Sequence, residues 1–107
     1  MREGLIFVML YALTASASAS ADTLSAQRQQ QLRDLVHQDC GSCHGMRLTG
    51  GLGPALTPQA LQGRDQEFLA ATISEGRPGT PMPPWRSLLS ASDIRWIANY
   101  LKGGAGE

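Results

Sequence analysis

Only two cysteines occur among the 107 residues, so the chain can form at most one disulfide. They are Cys40 and Cys43, and a bridge across two intervening residues closes a loop too small to restrain much of the unfolded chain. A disulfide scaffold is thereby excluded. Histidine is as scarce, with only His37 and His44. A tetrahedral structural zinc site asks for four protein ligands, and His37 lies one helical turn before Cys40, too close to wrap an ion from another side. Neither sign of charge is in excess: nine Lys+Arg balance nine Asp+Glu for a formal net charge of zero, which leaves no electrostatic footprint for nucleic acid. Long apolar runs are missing too. The longest, Gly4 to Leu13, has about ten residues, roughly half of what a membrane-spanning helix needs. There is no internal repeat, and no segment alternates polar and apolar residues well enough to be a strand. What remains is an all-α chain.

The first residues, MREGLIFVMLYALTASASASA, combine Arg2, the short apolar run and a ladder of small residues, which is how a secretory signal peptide reads. Ala-x-Ala sites end at Ala17, Ala19 and Ala21. Cleavage after Ala21, leaving a polar Asp22, divides the chain into a signal peptide, 1–21, and one exported domain, 22–107. The expected location is the periplasm, without stable membrane insertion. A domain this short has a marginal apolar core and often carries a staple; with the disulfide ruled out, something else completes the core.

Helical spacing of Leu32, Leu35, Val36 and the pair Asp39/Cys40 predicts a helix from about Ser25 that delivers Cys40 at its C-terminal end. A glycine-rich loop, GMRLTGGLGPALTP, follows, in which Gly45, Gly50, Gly51 and Gly53 permit tight backbone conformations. Thr57 and Pro58 predict a short helix ended by Gly63. Asp65 caps the next, which presents Phe68, Leu69, Thr72 and Ile73 on one side and stops at Gly76. In RPGTPMPPW, four prolines forbid a regular helix and hold Met82 on a stiff, extended segment. Ser90 and Asp93 start a last helix in which Ile94, Ile97, Ala98 and Leu101 form one apolar face.

Cys40-Gly41-Ser42-Cys43-His44 is the C-x-x-C-H pattern of covalent c-type haem attachment. Two thiols at this spacing can add across the two vinyl groups of one porphyrin, and the adjoining His44 is then placed as an iron ligand. A thiol pair or a metal clip also needs Cys-x-x-Cys, so a haem-free thiol or metal-binding exported protein stays open. A redox dithiol, however, follows a strand and opens a helix, whereas here a helix comes first. The sixth iron ligand is sought among methionines, since thioether sulfur commonly partners histidine in electron carriers. Met46, two residues past His44, cannot reach the opposite face of a porphyrin at about 3.5 Å per residue. Met82, 38 residues downstream, can. His37 is expected to face solvent.

Four pieces in order, a helix ending in CGSCHG, then GLGPAL, GTPMPPW and a closing helix DIRWIANYL, resemble the class I monohaem cytochromes c. The resemblance covers about Gln29 to Lys102. It implies a small class I fold, about four short helices around one haem c attached through two thioethers to Cys40 and Cys43, with His44 and Met82 as metal ligands. It further implies that the carbonyl of Pro54 accepts a hydrogen bond from the His44 imidazole, that Trp85 packs near the haem edge, and that the closing helix crosses the first with Trp96 or Tyr100 at the contact. Leu32 and Val36 occupy first-helix positions where relatives often carry a glycine and an aromatic. Arg64 is read as a solvated side chain rather than a propionate partner.

Within that family the chain looks most like the periplasmic c-55X cytochromes encoded with denitrification genes. That likeness implies a monomeric electron-transfer protein, not an enzyme, with redox protein partners and donation to cytochrome cd1 nitrite reductase; the alternative it leaves open is a helper in maturing that enzyme's d1 haem. Arg47, Arg77 and Arg86, close in sequence to His44 or Met82, are expected to rim the haem edge and to steer docking onto an acidic partner.

Overall fold

A computed structural model of the chain describes residues 24–106; the expected signal peptide lies outside the described residues. Helix α1, Ala26–Leu35, begins at Ser25, whose hydroxyl accepts the Arg28 N–H at 3.0 Å and so satisfies one of the orphan amides of the first turn. The helix does not end at Cys40. It passes into a π-turn, Val36–Cys40, closed by the Gly41 N–H on the Val36 carbonyl, and then into α2, Gly41–His44. The π-turn shifts the buried phase by one residue. Leu32 and Val36 are both 0% exposed; an α register would carry that phase to Cys40, but the next buried residue is Gly41. Cys40 is left half-buried on the side of the core.

Helix α3, Gln66–Glu75, starts as its sequence predicts: Asp65 accepts the Phe68 N–H at 2.7 Å. It ends at Gly76, with φ 67°. Its last carbonyls lack helical partners and are taken by the proline-rich segment, whose Trp85 and Arg86 N–H groups donate to Ile73 and Ser74 at 3.1 and 3.3 Å. The short helix expected after Thr57 is instead a run of turns. Thr57 does cap, accepting the Ala60 N–H at 3.2 Å, and one four-residue closure forms, Leu61 N–H to Thr57 O at 3.0 Å. The closures that follow, Gln62 to Gln59 and Arg64 to Leu61, span three residues, and Gly63 turns the chain away at φ 77°. No strand occurs among the described residues.

Helix α4, Ala91–Lys102, opens with a complete capping box between Ser90 and Asp93 and buries Ile94, Ile97, Ala98 and Leu101. Each large aliphatic side chain removed from water contributes roughly 1.5–3 kcal/mol, so this face is the principal fastening of the fold. It packs on α3 and crosses α1. At the crossing, Arg28 of α1 grips Asp93 of α4 through Nε–Oδ1 at 3.0 Å and Nη2–Oδ2 at 2.6 Å. Further along, His37 Nε2 lies 3.1 Å from the Tyr100 hydroxyl, and Tyr100 stacks on Trp96 at 4.9 Å with Arg33 over both rings. His37 is therefore half-buried and partnered, not solvent-facing. This polar aromatic contact joins the π-turn to α4.

Candidate functional site

Cys40, Cys43 and His44 line one cavity of about 560 Å³, together with Met82 and Trp85 from the proline-rich segment and Pro54 from the glycine-rich loop. Its remaining lining is largely aliphatic and aromatic, with Phe68, Leu69, Thr72 and Ile73 on α3 and Ile97 and Leu101 on α4. The side of α3 read from the sequence thus faces the cavity. Leu69 is buried, while Phe68 remains 49% exposed.

His44 ends α2, and its ring is fixed by two features of the loop that follows. Nδ1 lies 2.7 Å from the Pro54 carbonyl oxygen. A carbonyl only accepts, so Nδ1 carries a hydrogen, and in the neutral ring Nε2 is the nitrogen left with the lone pair. The second feature is space. A Cβ on Gly53 would stand 2.7 Å from His44 Cε1 and 2.8 Å from Nδ1, so only glycine lets the loop close over the ring. Gly53 has no positive φ; close approach, not conformational freedom, requires it. Loop amides complete the frame, with Gly50 N–H on His44 O and Gly53 N–H on Cys43 O, each at 2.8 Å. In sequence Gly53 reads only as a turn residue; its place beside Pro54 is the one local signal of this contact.

The two cysteines are not bridged. Burial, ahead of the Asp39 charge, pushes the Cys40 thiol up to about 11, the opposite of the lowered pKa that makes a redox dithiol reactive. Among the described residues no three His, Cys, Asp or Glu side chains converge to hold a metal ion.

Met82 is half-buried at the cavity, whereas Met46 is 77% exposed and absent from its lining. The expected arginine rim is gathered differently. Arg77 lines the cavity and Arg64 joins it, near the face of Phe68 at 5.2 Å. Arg47 and Arg86 do not line it; Arg86 pairs with Glu75 at 3.5 Å. Exposed Leu52 adds an apolar lip.

These groups suit an iron porphyrin. The cavity is within the roughly 300–1,000 Å³ usual for cofactor sites, its walls are apolar, two thiols stand beside an imidazole with a free nitrogen, and a thioether comes from a distant segment. Guanidinium groups at the margin match carboxylates.

The comparisons with known proteins agree with this chemistry. A family model described as cytochrome C oxidase, cbb3-type, subunit III matches residues 27–101. Cytochrome c55X of Pseudomonas aeruginosa is 63% identical over 79 residues, which are 74% of this chain and 66% of that protein. Cytochrome c55X of Paracoccus denitrificans is 53% identical over 100 residues, 94% of this chain and 92% of the relative. The solved structure of the c-type cytochrome NirC superposes with a TM-score of 0.73 at 63% identity, covering 76% of this chain and 95% of that one. Helices, cavity and relatives together place the chain in the c-type cytochromes, in the cytochrome c55X group, as an electron-transfer protein with covalently bound haem c.

Proposed function

We propose that this chain, after removal of a signal peptide at 1–21, is a periplasmic one-electron carrier of denitrification that donates to cytochrome cd1 nitrite reductase. In this reading Cys40 and Cys43 would form the two thioethers, and His44 and Met82 would hold the iron. Pro54 holds the imidazole and Trp85 closes the cavity wall. The observation that carries it is the convergence of Cys40, Cys43, His44 and Met82 on one apolar cavity, with His44 Nδ1 committed to Pro54. When bound, the haem supplies one-electron exchange between ferric and ferrous iron. Every other requirement falls to the chain. Pro54 sets the tautomer and the ring orientation of His44. Met82 would take the ligand position a substrate would otherwise use, and its thioether would favour the ferrous state and place the carrier toward high potential. The apolar walls exclude water and act in the same direction.

For the partner, Arg64 and Arg77 at the cavity margin and exposed Leu52 and Phe68 make an apolar patch with positive charge beside it. Such a surface favours a partner with an acidic docking rim and speeds encounter at low salt. The test is the visible spectrum of the periplasmically expressed protein, ferric and ferrous, for wild type and Met82→Ala. A c-type spectrum whose methionine-to-iron charge-transfer band vanishes in the variant supports the ligation; absence of haem overturns it. Oxidation of the reduced protein by holo nitrite reductase supports the donor role, whereas binding only to that enzyme lacking its d1 haem would favour a maturation role instead.

A further inference from the structure

Met82 lies on a stretch that offers few main-chain hydrogen bonds of its own. Arg77 to Pro81, Pro83 and Pro84 are all exposed. Pro81, Pro83 and Pro84 have no N–H, so the amide of Met82 is the only main-chain donor between Thr80 and Trp85. That single amide is spent on a side chain: the Thr80 hydroxyl accepts it at 3.3 Å and itself donates to the Arg77 carbonyl at 2.6 Å. The Arg77 N–H in turn donates to the Met82 carbonyl at 3.2 Å. Arg77 and Met82 are thus tied twice, once directly and once through one hydroxyl.

The turn that brings them together has Pro78 followed by Gly79 at φ 78°, closed by Thr80 N–H to Arg77 O at 3.1 Å, the residue pattern of a type II turn. Beneath it lies Gly76, where a Cβ would meet Met82 O at 2.7 Å and the Pro83 carbonyl carbon at 2.6 Å. The segment is pressed onto the end of α3 with no room to shift inward, and within it the hydroxyl ties Met82 back to Arg77.

We infer that the Thr80 hydroxyl is a positioning group for Met82, bracing the methionine against release from iron. This rests on the reading of Met82 as an axial ligand. Thr80→Val keeps the shape and removes both hydrogen bonds; Thr80→Ser keeps them. The measurement is titration of the ferric, haem-loaded protein with imidazole, which competes for the methionine position, followed by loss of the charge-transfer band. At the usual worth of two hydrogen bonds, Thr80→Val should yield to imidazole at roughly tenfold lower concentration, while Thr80→Ser stays within about twofold of wild type. If Thr80→Val does not accumulate as holoprotein, Thr80→Ala against Thr80→Ser supplies the same comparison. Equal imidazole affinity in wild type and the Val or Ala variant overturns the inference, as does a Ser variant weakened as much as they are. A band that survives in Met82→Ala, or is missing from wild type, overturns the ligand reading itself and is recognised without any Thr80 variant.

Discussion

Asp93→Asn should be among the most destabilising changes outside the haem cavity, although it alters no shape. The Asp93 side chain is 7% exposed, and three donors converge on its two oxygens: Arg28 Nε at 3.0 Å, Arg28 Nη2 at 2.6 Å and the Ser90 N–H at 3.1 Å. An amide offers one oxygen, so its NH₂ must face a donor. Loss of half the capping box costs about 1 kcal/mol. Breaking a fully buried ion pair costs roughly 3–5 kcal/mol and an exposed one under about 1. Arg28 is 38% exposed and can rehydrate, so a further 1–2 kcal/mol or so is the appropriate share. A total of about 2–3 kcal/mol lowers Tm by roughly 10–20 °C in a domain of this size.

The same pair dictates a pH dependence. Hydrogen bonding from Arg28, foremost, holds the Asp93 carboxyl below the usual carboxylate range. A depressed folded-state pKa means that the stabilisation is complete above the unfolded value near 4 and is lost as pH falls through the folded value. Thermal unfolding of the ferric holoprotein, followed by far-ultraviolet circular dichroism, should show a constant gap between wild type and Asp93→Asn from pH 7 to 5 that closes below about pH 4. A gap under about 0.5 kcal/mol at pH 7, or one that widens on acidification, would refute the reasoning.

Gly53→Ala should force the His44 ring off the Pro54 carbonyl, since the new methyl would lie 2.7 Å from Cε1; an imidazole without that hydrogen bond is a poorer donor to ferric iron, so a raised reduction potential in voltammetry is the expected sign. Tyr100→Phe keeps the stacking on Trp96 but removes the contact with His37, at a cost of about 1 kcal/mol and a fall in Tm of roughly 4–8 °C. Leu48→Ala empties a site that is 0% exposed and should cost roughly 2–4 kcal/mol in chemical denaturation. Exchanging Arg64 and Arg77 together for glutamine should slow electron transfer to an acidic partner at low ionic strength and flatten its salt dependence, read by stopped flow.

Much of this protein can be read locally. Ser25, Asp65 and Ser90 cap helices because a side-chain oxygen next to an apolar period satisfies orphan amides, a rule that needs no tertiary partner. The apolar face of α4 follows from its period, and C-x-x-C-H with a distant methionine names the cofactor because covalent attachment and coordination both depend on spacing along the chain. The misreadings fall where a distant partner decides. The helix was expected to end at Cys40, but burial of Leu32 and Val36 followed by Gly41 carries it through a π-turn. Nothing local distinguishes that turn from one more α-turn. His37 looked solvated because its partner, Tyr100, stands 63 residues away.

The sequence by itself determined the haem-attachment motif, the starts of the three main helices and the all-α class, since propensity, capping and covalent spacing act over a few residues. Only the tertiary structure decided which glycines are there for space, which arginines reach the cavity, and how a proline-stiffened segment is tied at Thr80 and seated on Gly76. Those depend on close approach between segments far apart in the chain, and packing at that range leaves no periodic mark in the sequence.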